Sequence, residues 1–141
     1  MPGAGRDFDG VKLPVVRTLS GDTPKPAAPT RVLLVDDDDA ARMVIARTLE
    51  HFGAAVTPAS TADEALERLS VADYDLLMTD IAMPGHDGYW LLSQSRMRKP
   101  ALRVAAITAV GTPDEHFARS GFDATVRKPV NPDDLESLLK K

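Results

Sequence analysis

Four short apolar runs in this chain each stop on a polar residue. Val32-Leu33-Leu34-Val35 stops on Asp36-Asp37, Leu76-Leu77-Met78-Thr79 on Asp80, Val104-Ala105-Ala106-Ile107 on Thr108, and Ala124-Thr125-Val126-Arg127 on Lys128. Runs of this length and composition suit parallel strands buried on both faces. Between them the pattern changes to a helical period. Ala41, Val44, Ile45, Thr48, Leu49 and Phe52 fall on one helix face, with Gly53 as the stop. Ala54–Thr57 reads as a short second strand. Thr61 and Glu64 have the spacing of a capping box, opening a helix that turns Ala62, Ala65, Leu66 and Leu69 inward.

Further strands are predicted at Asp75–Thr79, Arg103–Ile107 and Ala124–Arg127. A loop containing Pro84-Gly85 leads through the turn Asp87-Gly88 to a third helix, from about Gly88 to Arg98. On it Tyr89, Leu91 and Leu92 are expected inward and Trp90 toward solvent. The fourth helix is short, from Pro113 to Ser120, and ends at Gly121. Asn131 as cap, Pro132 at the first helical position and the acidic pair Asp133-Asp134 start the last helix, which turns Leu135, Leu138 and Leu139 inward. Five strands in strict alternation with five helices predict an α/β fold with a doubly wound parallel sheet.

Residues 1–30 break this order. They hold five of the eleven prolines and no sustained period, and read as a flexible leader or linker ahead of a domain over 31–141. Within them Val11–Leu19 could pair only as an edge strand, given Pro14. The leader carries four basic and three acidic residues. The net charge of −4 therefore leaves about −5 on the folded part. That balance argues against a broad nucleic-acid surface. The absence of cysteine excludes disulfides and thiolate chemistry. Neither a membrane span nor a secretory signal is visible, so a cytoplasmic location is the expectation.

In an open α/β sheet, ligands bind outside the carboxyl ends of the strands. Asp36, Asp37, Asp80, Thr108 and Lys128 would then converge on one edge: three carboxylates, a hydroxyl and an ammonium. Such a set suits a divalent cation and a phosphoryl group. Asp38 and Asp39 read as solvated or capping, and the acidic run lacks the glycine and distal glutamate of an EF-hand loop. His51, His86 and His116 read as surface or cap residues without a role. Trp90 is either a half-buried filler or a partner contact.

The pair Asp36-Asp37, the run from Asp80 through Met83-Pro84-Gly85 to Asp87-Gly88, Thr108-Ala109 and Lys128-Pro129 together resemble the receiver domain of two-component response regulators. The match covers Arg31 to about Leu139. The resemblance implies a flavodoxin-like fold with strand order 2-1-3-4-5. It implies that Asp80 accepts a phosphoryl group, and that Asp36, Asp37, Asp80 and the backbone carbonyl of Ala82 hold Mg²⁺. Thr108, the backbone N–H of Ala109 and Lys128 would bind the phosphate, with a cis bond into Pro129. The implied partners are a histidine kinase or histidine phosphotransfer protein as donor and a downstream protein target. Neither DNA nor membrane is expected as a direct partner, and no DNA-binding domain is expected after Lys141. The surroundings of Ser120-Gly121-Phe122 and Lys128-Pro129-Val130 lean toward the receivers of hybrid histidine kinases.

Three features depart from the family pattern. Thr125 stands three positions before the lysine, where receivers commonly carry an aromatic switch residue. The intervals Asp80–Thr108 and Thr108–Lys128 are each about two residues short, which shortens the fourth helix. Ala82 offers no side chain to orient water, so slow loss of the phosphoryl group is expected. Two other functions use the same residues: a metal-dependent phosphate-ester hydrolase, and a pseudo-receiver that only binds partners. An intact acid set argues against the second.

Overall fold

The computed structural model describes residues 28–109 and 115–140, and ten elements alternate along these described residues. They are β1 (Arg31–Val35), α1 (Asp39–His51), β2 (Ala55–Ala59), α2 (Ala62–Val71), β3 (Leu76–Asp80), α3 (Gly88–Arg98), β4 (Arg103–Thr108), α4 (Glu115–Arg119), β5 (Ala124–Arg127) and α5 (Pro132–Leu139). The strands form one parallel sheet in the order β2-β1-β3-β4-β5, as the flavodoxin-like resemblance implies. Successive residues of β1 serve opposite faces. Val32 and Leu34 join Ile45, Leu49, Met78, Ile107 and Leu135 on one side. Leu33 and Val35 join Leu69, Leu77, Leu91, Leu92 and Val104 on the other. β1, β3 and β4 read as continuously apolar because both of their faces are covered.

Register, more than burial, prepares the functional edge. Val35 lies level with Thr79 and Asp80 level with Ile107, so Asp36 emerges beside Asp80 and Thr108 follows one step later. Thr108 lies level with Arg127, which puts Lys128 immediately beyond it. The polar stops therefore collect at one end of the sheet.

Helix starts follow their capping residues. Asp38, Thr61, Asp87 and Asn131 each accept backbone N–H bonds at the start of α1, α2, α3 and α5. Glu64 reaches one residue further back than a capping box requires, to the N–H of Ser60 at 2.9 Å and its hydroxyl at 3.2 Å. That backbone bond is the main cause holding the Glu64 carboxyl below its ordinary value. After α1, Gly53 takes φ 96, a left-handed conformation that favours glycine and closes the helix.

Several expectations shift. β2 begins and ends later than predicted and runs through Pro58, tolerated because β2 is an edge strand. β3 and β4 each extend one residue further, to Asp80 and Thr108. Val44, expected on the inward face of α1, is 64% exposed, because the helix packs through Ile45 and Leu49 and turns Val44 to the rim. Of the two readings of Trp90, the half-buried filler holds. It is half-buried against the Leu91–Leu92 cluster, where an indole covers apolar surface at the start of α3. The leader reading, including the possible strand Val11–Leu19, and the first residues of the predicted fourth helix lie outside the described residues.

One clamp ties the far half of the sheet together. Arg96, near the end of α3, donates to the carbonyls of Leu102 at 2.6 Å and Gly121 at 2.9 Å, and to Asp123 Oδ2 at 2.9 Å. The same carboxylate oxygen accepts the Val104 N–H at 2.8 Å. Burial disfavours the charged form of Asp123, but Arg96 and the Val104 amide outweigh it and hold the carboxyl below its ordinary value. A depressed carboxyl contributes stability that is present above its unfolded value, about 3.9, and is lost as pH falls through the folded value. Both side chains are partly exposed, 33% and 42%, which weakens the ion pair. Arg96→Ala is expected to cost ~1–2 kcal/mol at neutral pH and less as acid begins to protonate Asp123. Urea denaturation at pH 7 and pH 3 measures it; an equal cost at both would place the stabilisation in the two carbonyl bonds.

Candidate functional site

Asp36, Asp37 and Asp80 each present a carboxylate oxygen within 4.8 Å of the others. Strand ends impose this crowding. Asp36 is wholly buried and Asp80 is 9% exposed, because each continues a strand covered on both faces, while Asp37 has turned out to solvent. Asp36 Oδ1 accepts the Asp38 N–H at 2.9 Å. Its Oδ2 stands 3.1 Å from Lys128 Nζ, an ion-pair separation, but has no aligned hydrogen-bond donor among the described residues. Lys128 Nζ donates to Asp80 Oδ2, also at 3.1 Å, so one ammonium bridges two carboxylates.

The electrostatics are lopsided. Burial is the largest cause pushing the Asp80 carboxyl above its ordinary value; Asp36 and Asp37 add to it, and Lys128 opposes them. At Lys128 burial works against the charge, yet the carboxylates of Asp36 and Asp80 prevail and the ammonium is held more firmly than in water. A buried carboxylate oxygen without a donor, beside two further carboxylates, is the donor set of a hard divalent cation. The residues present fit such a group.

The surrounding loops are built tightly. Lys128 N–H bonds to the Thr108 carbonyl at 2.8 Å, joining the ends of β4 and β5, and Thr108 is 3% exposed. The Lys128–Pro129 bond is cis, as the resemblance implied. Ala82 and Ala109 lie exposed in the loops after β3 and β4. Behind Asp80, Met83 sinks into the core, Gly85 turns at φ 77, Asp87 caps α3 through the Trp90 N–H, and the Gly88 N–H bonds the Ile81 carbonyl at 2.8 Å. Asp38 and Asp39 take the capping and solvated roles expected of them. Asp38 caps α1, and exposed Asp39 pairs with Arg42 at 2.6 Å.

Two participants escaped the sequence reading. His86, given no role there, stacks on Trp90 with centroids 3.7 Å apart and planes 7° from parallel, and its Nδ1 lies 3.1 Å from Asp63 Oδ1. The i,i+4 spacing of His86 and Trp90 was the available signal, hidden because His86 precedes the helix. Arg42 donates to the Asp36 carbonyl at 2.7 Å. Its i,i+3 spacing from Asp39 was legible, its bond to Asp36 was not.

Two variants probe this construction. An acid whose folded pKa is raised loses stability as pH rises above its unfolded value, about 3.9 for aspartate. In metal-free buffer Asp80→Asn is therefore expected to raise the Tm at pH 7, with the gain fading below about pH 4. A lower Tm at pH 7 would mean that the Lys128 pair outweighs burial and repulsion. At Gly88 an added Cβ would stand 2.5 Å from the Asp80 carbonyl oxygen and 2.8 Å from Ile81 Cα, both backbone. Gly88→Ala is expected to cost ~1–3 kcal/mol in urea denaturation, because the chain behind Asp80 must move. An unchanged midpoint would show that the turn relaxes freely.

Comparison with known proteins agrees with this geometry. The family model described as "Response regulator receiver domain" matches residues 32–140. A 14.6 kDa protein of Leptolyngbya boryana, described as uncharacterized, is 38% identical over 114 residues, covering 78% of this chain and 87% of that protein. The DNA-binding transcriptional regulator NtrC of Escherichia coli K12 is 35% identical over 113 residues, covering 78% of this chain but only 24% of NtrC. Among solved structures, a CheY-like receiver domain protein from Methanospirillum hungatei superposes with a TM-score of 0.72 at 32% identity, covering 79% of this chain and 91% of that one. No described helix is long and apolar enough to cross a membrane. The chain belongs to the response regulator receiver domain family of two-component signalling systems.

Proposed function

We propose that this chain accepts a phosphoryl group on Asp80 in a Mg²⁺-dependent reaction and signals through protein contacts. The observation that carries the reading is Asp80 itself, at a strand end between two further carboxylates and 3.1 Å from a lysine. The donor is a phosphohistidine on a histidine kinase or phosphotransfer protein. An Asp80 carboxylate oxygen bonds to phosphorus as the P–N bond breaks, and the bonding pair leaves on the imidazole nitrogen. Little covalent work falls to the protein in such a transfer; positioning and charge stabilisation do most of it. Asp36, Asp37, Asp80 and the Ala82 carbonyl hold Mg²⁺, which when bound keeps the carboxylates ionised and offsets the phosphoryl charge. Lys128, Thr108 and the Ala109 N–H receive the phosphoryl oxygens, Lys128 by exchanging part of its present pairing with Asp80 for the new anion. A shallow apolar cleft of about 350 Å³, lined by Ala40, Ala41, Val44, Ile45, Lys128, Pro129 and Val130, opens beside the lysine and supports docking of the donor.

The output is a population shift in the loops after β4 and β5. Thr125 is exposed on β5 and supplies no ring, so the shift runs through Thr108 and Lys128 themselves. A tenfold change in population takes about 1.4 kcal/mol, within the reach of one charge-assisted hydrogen bond. The cytoplasm is the compartment where such donors act.

Incubation with Mg²⁺ and a small acyl phosphate, read by intact-protein mass, is expected to add one phosphoryl group to the wild type. None should be added to Asp80→Asn, nor to wild type in chelator. An unmodified wild type would overturn the reading. Phosphate release with no phosphoprotein would favour the hydrolase.

A further inference from the structure

From the position of its guanidinium we infer that Arg42 is a positioning residue for the metal-binding carboxylates, an inference that rests on the function proposed above. Arg42 is the fourth residue of α1, facing back over the loop from β1. Nη1 donates to the main-chain carbonyl of Asp36 at 2.7 Å, and Nη2 to Asp39 Oδ1 at 2.6 Å. Its side chain is only 19% exposed. The Arg42 N–H also bonds the Asp38 carbonyl at 2.9 Å, so backbone and side chain grip the same loop.

The fork fixes a peptide plane. The Asp36 carbonyl belongs to the bond joining Asp36 to Asp37, and its orientation sets where the two carboxylates project. The other restraints on Asp36 are the bond from its N–H to the Ala59 carbonyl at 3.2 Å, the Asp38 N–H on Oδ1 and Lys128 near Oδ2. None of these restrains the carbonyl. Lysine cannot reproduce the grip of Arg42, because an ammonium lacks the rigid fork that spans two acceptors. Groups that orient metal ligands affect metal affinity by roughly 10–100-fold when removed.

The sign of the effect separates positioning from charge. As a mere background charge, Arg42 would repel a cation, and its loss would tighten Mg²⁺ binding. As a positioning group its loss weakens binding, although a repelling charge has gone. Calorimetric titration of the full chain with Mg²⁺ alone tests this in Arg42→Met and Arg42→Lys, with Tm in chelator measured alongside. The expected result is a Kd raised roughly tenfold or more in Arg42→Met and raised also in Arg42→Lys, which keeps the charge. Phosphorylation by acyl phosphate should then need more Mg²⁺ yet reach the wild-type rate at saturation. An unchanged or lowered Kd in either folded variant overturns the inference, whatever happens to Tm. Should Arg42→Met not fold, Arg42→Lys decides alone. A wild type that binds Mg²⁺ but is never phosphorylated would defeat the proposed function while leaving the role of Arg42 open to measurement by the same titration.

Discussion

The structure turns on the confinement of two aspartates at the buried end of a sheet with one ammonium between them. Asp36 has no exposure, Asp80 very little, and Lys128 stands 3.1 Å from both. Holding an ion out of water costs several kcal/mol even after relaxation, and pairing recovers that only when the geometry is good. One lysine cannot neutralise three carboxylates. Two unit charges 4 Å apart interact by roughly 4 kcal/mol at the effective dielectric near a protein surface. The residual negative charge is therefore a standing demand for a cation, and at Asp80 it adds to burial, the larger cause raising that carboxyl. The rest of the fold supports this arrangement: strands covered on both faces carry the acids inward, and capped helix starts hold the loops that separate them.

Much of this was legible in the chain because it depends on local rules. Strand runs, their polar stops and the capping residues Thr61, Asp87 and Asn131 follow from composition and spacing over a few residues. The convergence of Asp36, Asp37, Asp80 and Lys128 followed from the crossover rule for parallel sheets, which sends all strand ends to one edge. What stayed hidden depends on rotation and reach. Val44 satisfies the helical period yet lies at the rim, since period alone leaves the centre of a face uncertain by about one residue. Trp90 was assigned outward by the same counting and instead packs partly against the Leu91–Leu92 cluster, with His86 of the preceding loop stacked on its ring. Arg42 bonds a main-chain carbonyl, a contact that no side-chain pattern announces.

The two sides of the site differ in how firmly they are held. On the acid side, Asp36 is restrained through its N–H, one carboxylate oxygen and its carbonyl, and Asp80 is backed by a glycine with no space for a methyl group. On the opposite side, Lys128 follows a four-residue edge strand in which only Val126 is buried. Its side chain is held chiefly by the acids themselves, and its main chain by one bond to Thr108. A new anion on Asp80 competes for that lysine directly, whereas moving Asp36 would break several bonds at once. Strain introduced at the edge therefore relaxes toward β5 and the end of β4. The absence of a ring at Thr125 removes a further restraint from that side. Under the proposed phosphorylation of Asp80, bond counting favours a response in which the loop after β1 stays and the lysine moves.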